Sequence, residues 1–203
     1  EKIITYAKTE LGKKLNESIF ISLTDHINST IDRYKNGIQL KNALLWDIKR
    51  LYKDEFCIGV EALKMIKEDL NIELPEDEAA FIALHIVNAE LNEEMPNLMN
   101  MTKVMQEILN IVKYHYKIDF DEESLSYYRF ITHLKFFAQR LFNGKTYTDK
   151  DDEIYDMIKI KYPIAHECVK KVEKFIKEKY TYDLTKEEKL YLMIRIQRVT
   201  ENK

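Results

Sequence analysis

Two stretches of this chain repeat one another in the same order, which constrains the fold more than any other feature of the sequence. The run from Leu23 to Gly37 faces the run from Phe130 to Gly144: His26 meets His133, Arg33 meets Arg140, and Asn36-Gly37 meets Asn143-Gly144, all at an offset of 107. Further on, the run from Leu74 to Ile86 faces that from Leu184 to Ile196 at an offset of 110, and Tyr52 against Tyr162 fits the same value. One three-residue insertion after Gly144 reconciles the two offsets. The reading is two homologous domains, 1–94 and 98–203, joined through the polar, proline-containing stretch 92–97.

What each copy is made of follows from periodicity and from what is scarce. Ala62, Met65, Ile66 and Leu70 recur at helical spacing, as do Val172, Phe175 and Ile176. The chain holds only 4 Gly and 3 Pro in 203 residues, which favours long helices over a turn-rich sheet. The expected fold is therefore all-α, two five-helix bundles in tandem. The predicted helices are 2–12, 18–35, 40–52, 55–70 and 76–90 in the first copy, and 101–116, 122–142, 150–161, 164–180 and 186–199 in the second. The two Asn-Gly pairs are helix stops, Thr185 with Glu188 spells a capping box, and Pro75 suits the first turn of the last helix of copy one.

Composition excludes several function classes. A net charge of −3 offers no basic surplus for nucleic-acid phosphates. No apolar run is long enough to span a bilayer, so no membrane insertion is expected. Cys57 and Cys168 make no disulfide framework, and with no secretory signal the expected setting is the cytoplasm. The chain starts at Glu1 rather than Met, which fits a segment missing upstream or a trimmed terminus. No phosphate-binding glycine loop, nucleophile elbow or zinc-helix motif occurs, so no catalytic residue, metal or cofactor is expected. His166-Glu167-Cys168 brings ligand types close together, but adjacent helical positions point apart, and an ordinary surface cluster is the better reading.

The histidines carry what chemistry there is. Around His26, at helical spacing, stand Ser22, Ser29, Thr30 and Arg33, a small polar stripe that leaves an imidazole reachable by an anion, with Asp25 beside it to orient or tune a ring. His133 has Phe130, Phe136 and Phe137 around it and Arg129 and Arg140 one and two turns away. It is either a partly buried histidine beside solvated arginines or a phosphate acceptor with guanidinium groups at hand. His85 sits in an apolar helix and reads alone as a core or interface residue; the repeat raises its standing. His115 and His166 have no histidine counterpart and are taken as structural or surface residues.

With these residues in view the chain resembles a known family. Asp25-His26-Ile27, Asn42-Ala43-Leu44-Leu45-Trp46 and the run Leu74–Ala89 are similar to a phosphotransferase-system regulation domain. The run Tyr127–Gly144 is similar to the second such domain of the beta-glucoside operon antiterminators. The resemblance covers essentially the whole chain. It implies a tandem that forms a homodimer, with a small RNA-binding domain upstream that clamps an RNA antiterminator hairpin.

It also implies control by histidine phosphorylation. His26 and His85 correspond to the acceptor pair of the first domain, phosphorylated in dependence on a sugar-specific permease to hold the protein inactive. His133 corresponds to the first acceptor of the second domain, served by the histidine phosphocarrier protein to promote activity. The fourth family histidine falls at Arg195, which cannot accept the phosphate in this chemistry and whose charge cannot be switched off. The second domain then has one acceptor or an altered switch, with Arg195 as a standing cation for phosphate on His133, a natural variant, or an engineered change. In the first domain two new anions near their counterparts across a dimer repel; in the second, Arg129, Arg140 or Arg195 pairs the charge. Two rival readings are a phosphorelay transfer domain, which the paired histidines of copy one argue against, and a purely structural helical module with incidental histidines.

Overall fold

The computed structural model describes residues 1–144 and 152–201, and within them every regular element is an α-helix. The chain divides into two compact units, 1–102 and 103–203, the division falling inside one helix. Unit 1 contains α1 (Lys2–Leu11), α2 (Ser18–Lys35), α3 (Leu45–Leu51), α4 (Lys53–Leu70) and α5 (Glu76–Leu91), then the start of α6 (Met95–Tyr116). Unit 2 takes the rest of α6 and α7 (Leu125–Asn143), α8 (Asp152–Lys161), α9 (Pro163–Tyr180) and α10 (Lys186–Glu201).

The core of unit 1 gathers one stripe from each of four helices. Ile4 and Ala7, Ile19 and Leu23, Ile58, Ala62 and Ile66, and Ile82, Ile86 and Ala89 form one cluster, spaced three or four residues apart so that each lies on one helix face. The last helix is the hub: α5 packs on α2, α3 and α4. Its contact with α4 is close enough that Gly59 is required, since a Cβ there would fall on the carbonyl oxygen of Ala79. In unit 2 the hub is α10, which packs on α7, α8 and α9, with Phe130, Leu134, Phe137, Val172, Ile176, Leu192 and Ile196 all essentially fully buried.

The stop and start signals lie where local chemistry puts them. After α2 the chain turns at Gly37 (φ 70°), and after α7 at Gly144 (φ 63°), both left-handed. The capping box is formed in both directions: the Thr185 N–H donates to Oε2 of Glu188 at 3.1 Å, and the Glu188 N–H to Oγ1 of Thr185 at 3.2 Å.

Some boundaries differ from expectation, for identifiable reasons. Pro75 is the cap residue preceding α5, with extended backbone (ψ 156°), rather than a first-turn residue. Residues 40–44 are not helical, because the Asn42 N–H is drawn to Oδ1 of Asp77 at 2.8 Å and Lys41 Nζ to Oδ2 at 3.3 Å. The stretch 92–97 is only partly a link. Asn92 ends α5 in a left-handed conformation (φ 54°), but α6 begins at Met95 with Pro96 in its first turn, where the missing N–H has no helical partner to lose. The insertion after Gly144 and the expected helix start at 150 lie outside the described residues.

Candidate functional site

In unit 1, α2 presents His26, Thr30 and Arg33, spaced four and three residues apart and therefore on one face. Opposite, α5 presents Glu78, Phe81 and His85, spaced three and four apart. The two faces meet around the Glu78 carboxylate, whose side chain is 4% exposed. His26 Nε2 lies 3.0 Å from Oε2 of Glu78, the Thr30 hydroxyl donates to the same oxygen at 3.0 Å, and Arg33 Nη2 reaches Oε1 at 3.4 Å. Arg33 also donates to the Thr30 hydroxyl at 2.6 Å. Three side chains of α2 thus converge on one buried carboxylate.

Burial pushes the Glu78 carboxyl up, but the hydrogen bonds from His26 and Thr30 and the nearby Arg33 charge outweigh it, and the net shift is downward. Glu78 is therefore a carboxylate, an acceptor with no proton to donate. The His26 ring packs between Phe81 (centroids 5.6 Å apart) and His85 (4.9 Å). Burial, and secondarily the neighbouring His26, depress the His85 pKa to about 4, so His85 is neutral at physiological pH. Its Nδ1 is buried without a hydrogen-bond partner.

The same frame recurs in unit 2 with altered contents. α7 carries His133, Phe137 and Arg140; α10 carries Glu188, Tyr191 and Arg195. The His133–Tyr191 ring contact (5.9 Å) repeats His26–Phe81. The Arg140–Glu188 pair, at 3.8 Å with Glu188 1% exposed, repeats Arg33–Glu78. But Phe137 stands where Thr30 does, so the bridging hydroxyl is gone, and Glu188 instead accepts from the Tyr182 hydroxyl (3.0 and 3.2 Å). His133 Nε2 is left buried with no hydrogen-bond partner. Burial, then the charges of Arg140 and Arg195, hold its pKa down at about 4.

The sequence profile of the PRD domain matches the chain twice, over residues 1–89 and 106–199. The transcription antiterminator LicT of Bacillus subtilis (strain 168) is 64% identical over 99% of this chain and 73% of its own length. A beta-glucoside operon antiterminator of Dickeya chrysanthemi is 50% identical over 98% of this chain and 70% of that protein. The GlcA/glcB genes antiterminator of Staphylococcus carnosus (strain TM300) is 29% identical over 98% and 68%. The chain belongs to the PRD family. It is a phosphotransferase-system-controlled regulatory region of a transcriptional antiterminator.

Across the PRD tandem the residues singled out from sequence divide clearly. His26, Arg33 and His85 come together in the first domain, and His133 lies within the electrostatic reach of Arg140 and Arg195 in the second. Asp25 and Arg129 are exposed, and no contact ties either to a histidine among the described residues. One residue along a helix turns a side chain about 100° away, which places Asp25 off the His26 face. Glu78 and Glu188, the buried acceptors of the two PRDs, were not singled out as site residues. Glu188 registered only as a capping residue, although both occupy the same place in the repeat, seven residues before His85 and Arg195.

Elsewhere in the second PRD, His115 and His166 both have pKa values lowered chiefly by burial, and the Tyr155 hydroxyl lies 3.4 Å from His166 Nε2. Cys168 is buried and its thiol is pushed up to about 12. Among the described residues no group of three or more His, Cys, Asp and Glu is placed to hold a metal ion. No helix among them is long and apolar enough to cross a membrane.

Proposed function

We propose that His26, His85 and His133 are the phosphate acceptors through which the phosphotransferase system sets the activity of this antiterminator. The observation that carries this reading is the His26–His85 ring pair at 4.9 Å, held between α2 and α5 beside a buried carboxylate and an arginine. The recurrence of the frame around His133 supports it.

A phosphoryl group adds about −1.5 to −2 charges. On His26 or His85 that charge arrives near the Glu78 carboxylate, with Arg33 the cation beside it. Phosphorylation in the first PRD therefore strains the α2–α5 contact and, in a homodimer, places like charges near one another. On His133 the new charge meets Arg140 and Arg195, the same cations that disfavour its protonation. Phosphorylation of the second PRD thus stabilises its fold and favours the active dimer. Moving such an equilibrium from mostly one form to mostly the other takes about 5.5 kcal/mol, the order of a few charge-assisted contacts doubled by symmetry.

In this reading the chain is a cytoplasmic regulator, acted upon by phosphotransfer and not itself an enzyme. A sugar-specific permease governs phosphate on His26 and His85, and the histidine phosphocarrier protein serves His133. An RNA-binding domain preceding residue 1 in the whole protein clamps the antiterminator hairpin when the dimer is active. The test is to incubate the tandem with the phosphocarrier protein, its kinase and phosphoenolpyruvate, mapping acid-labile phosphate by mass spectrometry while dimer mass is followed. Phosphate on His133 with a stronger dimer is the expected result. A His133 that stays unmodified means that Arg195 has disabled the second acceptor.

A further inference from the structure

We propose that Glu78 is a positioning residue that fixes the His26 ring with its proton on Nε2, so that phosphate is accepted on Nδ1. The inference rests on His26 being an acceptor and specifies which nitrogen does the chemistry.

The argument is geometric. Nε2 of His26 stands 3.0 Å from Oε2 of Glu78. That oxygen is ionised and accepts only, so Nε2 must supply the proton, which leaves the lone pair of the neutral ring on Nδ1. The Thr30 hydroxyl cannot reverse this, because it accepts from Arg33 at 2.6 Å and spends its own proton on Glu78 at 3.0 Å. Unlike Nδ1 of His85, Nδ1 of His26 is not among the buried nitrogens left without a partner. The His26 side chain is 15% exposed, and with the N–H committed to the carboxylate the lone pair left for chemistry is that of Nδ1. A carboxylate that holds an imidazole in one tautomer and stabilises its charged form is a general device of histidine chemistry.

The transfer balances without any added reagent. The Nδ1 lone pair of neutral His26 attacks the phosphorus of a donor phosphohistidine whose ring is protonated on its other nitrogen. The Nδ1–P bond forms and the donor's N–P bond breaks, its electron pair returning to the donor ring, which leaves as neutral imidazole. The positive charge appears on the His26 ring, where the Nε2–H faces the Glu78 carboxylate. In the second PRD this device is absent: Nε2 of His133 has no hydrogen-bond partner, and Glu188 is held by Tyr182, Thr185 and Arg140.

The experiment uses the full 203-residue chain with 15N-labelled histidine. Long-range proton–nitrogen correlation reads the tautomer of His26, assigned with His26→Gln, and then locates phosphate after treatment with phosphoramidate, whose P–N bond imitates the donor's. The expected result is an Nε2–H tautomer and phosphate on Nδ1. Glu78→Gln keeps an acceptor oxygen of the same shape but loses the charge, so it retains the tautomer and slows phosphorylation about ten-fold or more, the low end of a charged hydrogen bond. Glu78→Ala, where it folds, mixes the tautomers and admits phosphate on Nε2. An Nδ1–H tautomer in the unaltered protein, phosphate on its Nε2, or an unchanged rate in Glu78→Gln overturns the proposal. If neither phosphoramidate nor a protein phosphohistidine donor modifies His26, the acceptor assignment falls and takes this proposal with it. The tautomer spectrum then still decides separately whether Glu78 orients the ring.

Discussion

Replacing His133 by Gln removes a pH dependence whose size follows from its surroundings. In the folded protein burial, Arg140 and Arg195 hold His133 at a pKa of about 4, against 6.5 when unfolded. A histidine whose folded pKa is depressed contributes stability that is fully present above 6.5 and is lost as pH falls toward 4, because the unfolded chain takes the proton first. With 1.36 kcal/mol per pKa unit, lowering the pH from 7.5 to 5 costs this one group about 2 kcal/mol. Urea unfolding followed by far-ultraviolet circular dichroism at the two pH values measures the loss. His133→Gln should lose about 2 kcal/mol less than the unaltered protein, since carboxylates titrate alike in both and cancel. Equal losses in the two proteins would mean that His133 is solvated and free of the two arginines, and the account of the second PRD would fail.

Other substitutions test separate parts of the structure. Arg195→Gln removes one of the two cations acting on His133, so the His133 imidazole should titrate at higher pH by nuclear magnetic resonance; an unmoved titration would remove Arg195 from the site. Gly59→Ala drives a methyl group into the Ala79 carbonyl and should cost about 2–3 kcal/mol in chemical denaturation, despite the better helix propensity of Ala; a neutral or stabilised variant would contradict the close α4–α5 approach. Thr181 ends α9 in the left-handed conformation at φ 55°, unfavourable for a β-branched residue. Thr181→Asn, the residue at the matching position 71, should raise stability by about 0.5–1 kcal/mol in the same assay, and a loss would show that the Thr side chain has a role of its own.

The helices were legible because their signals are local: apolar spacing, two Asn-Gly stops and a Thr185–Glu188 box need nothing beyond their own neighbours. Residues 40–44 were misread as helix because what unwinds them is Asp77, thirty-five residues on, which takes the Asn42 N–H. The site shows the same division. Arg33 and Arg140 were found because the repeat aligns them, and both do pair with a buried glutamate. Glu78 and Glu188 carry no such signal, since an acidic residue in the first turn of a helix is ordinary beside the helix dipole. Only the pairing of α2 with α5, and of α7 with α10, shows that Glu78 and Glu188 face inward. Asp25 was chosen for adjacency in sequence, and a helix turns adjacent side chains apart.

The close approach at Gly59 also limits which parts of the two PRDs can be exchanged. At the position of Gly59 the second copy has Val169, buried to 1% and in need of room for its side chain. Opposite Ala79 it has Lys189, which reaches Glu173 at 3.0 Å. A chimaera that grafts α9 in place of α4 brings a valine to a seam built for none, whereas moving α9 and α10 together carries its own spacing along. The unit of recombination in this protein is thus a pair of helices, and a library of hybrid regulators cut between α4 and α5 should consist mainly of chains that do not fold.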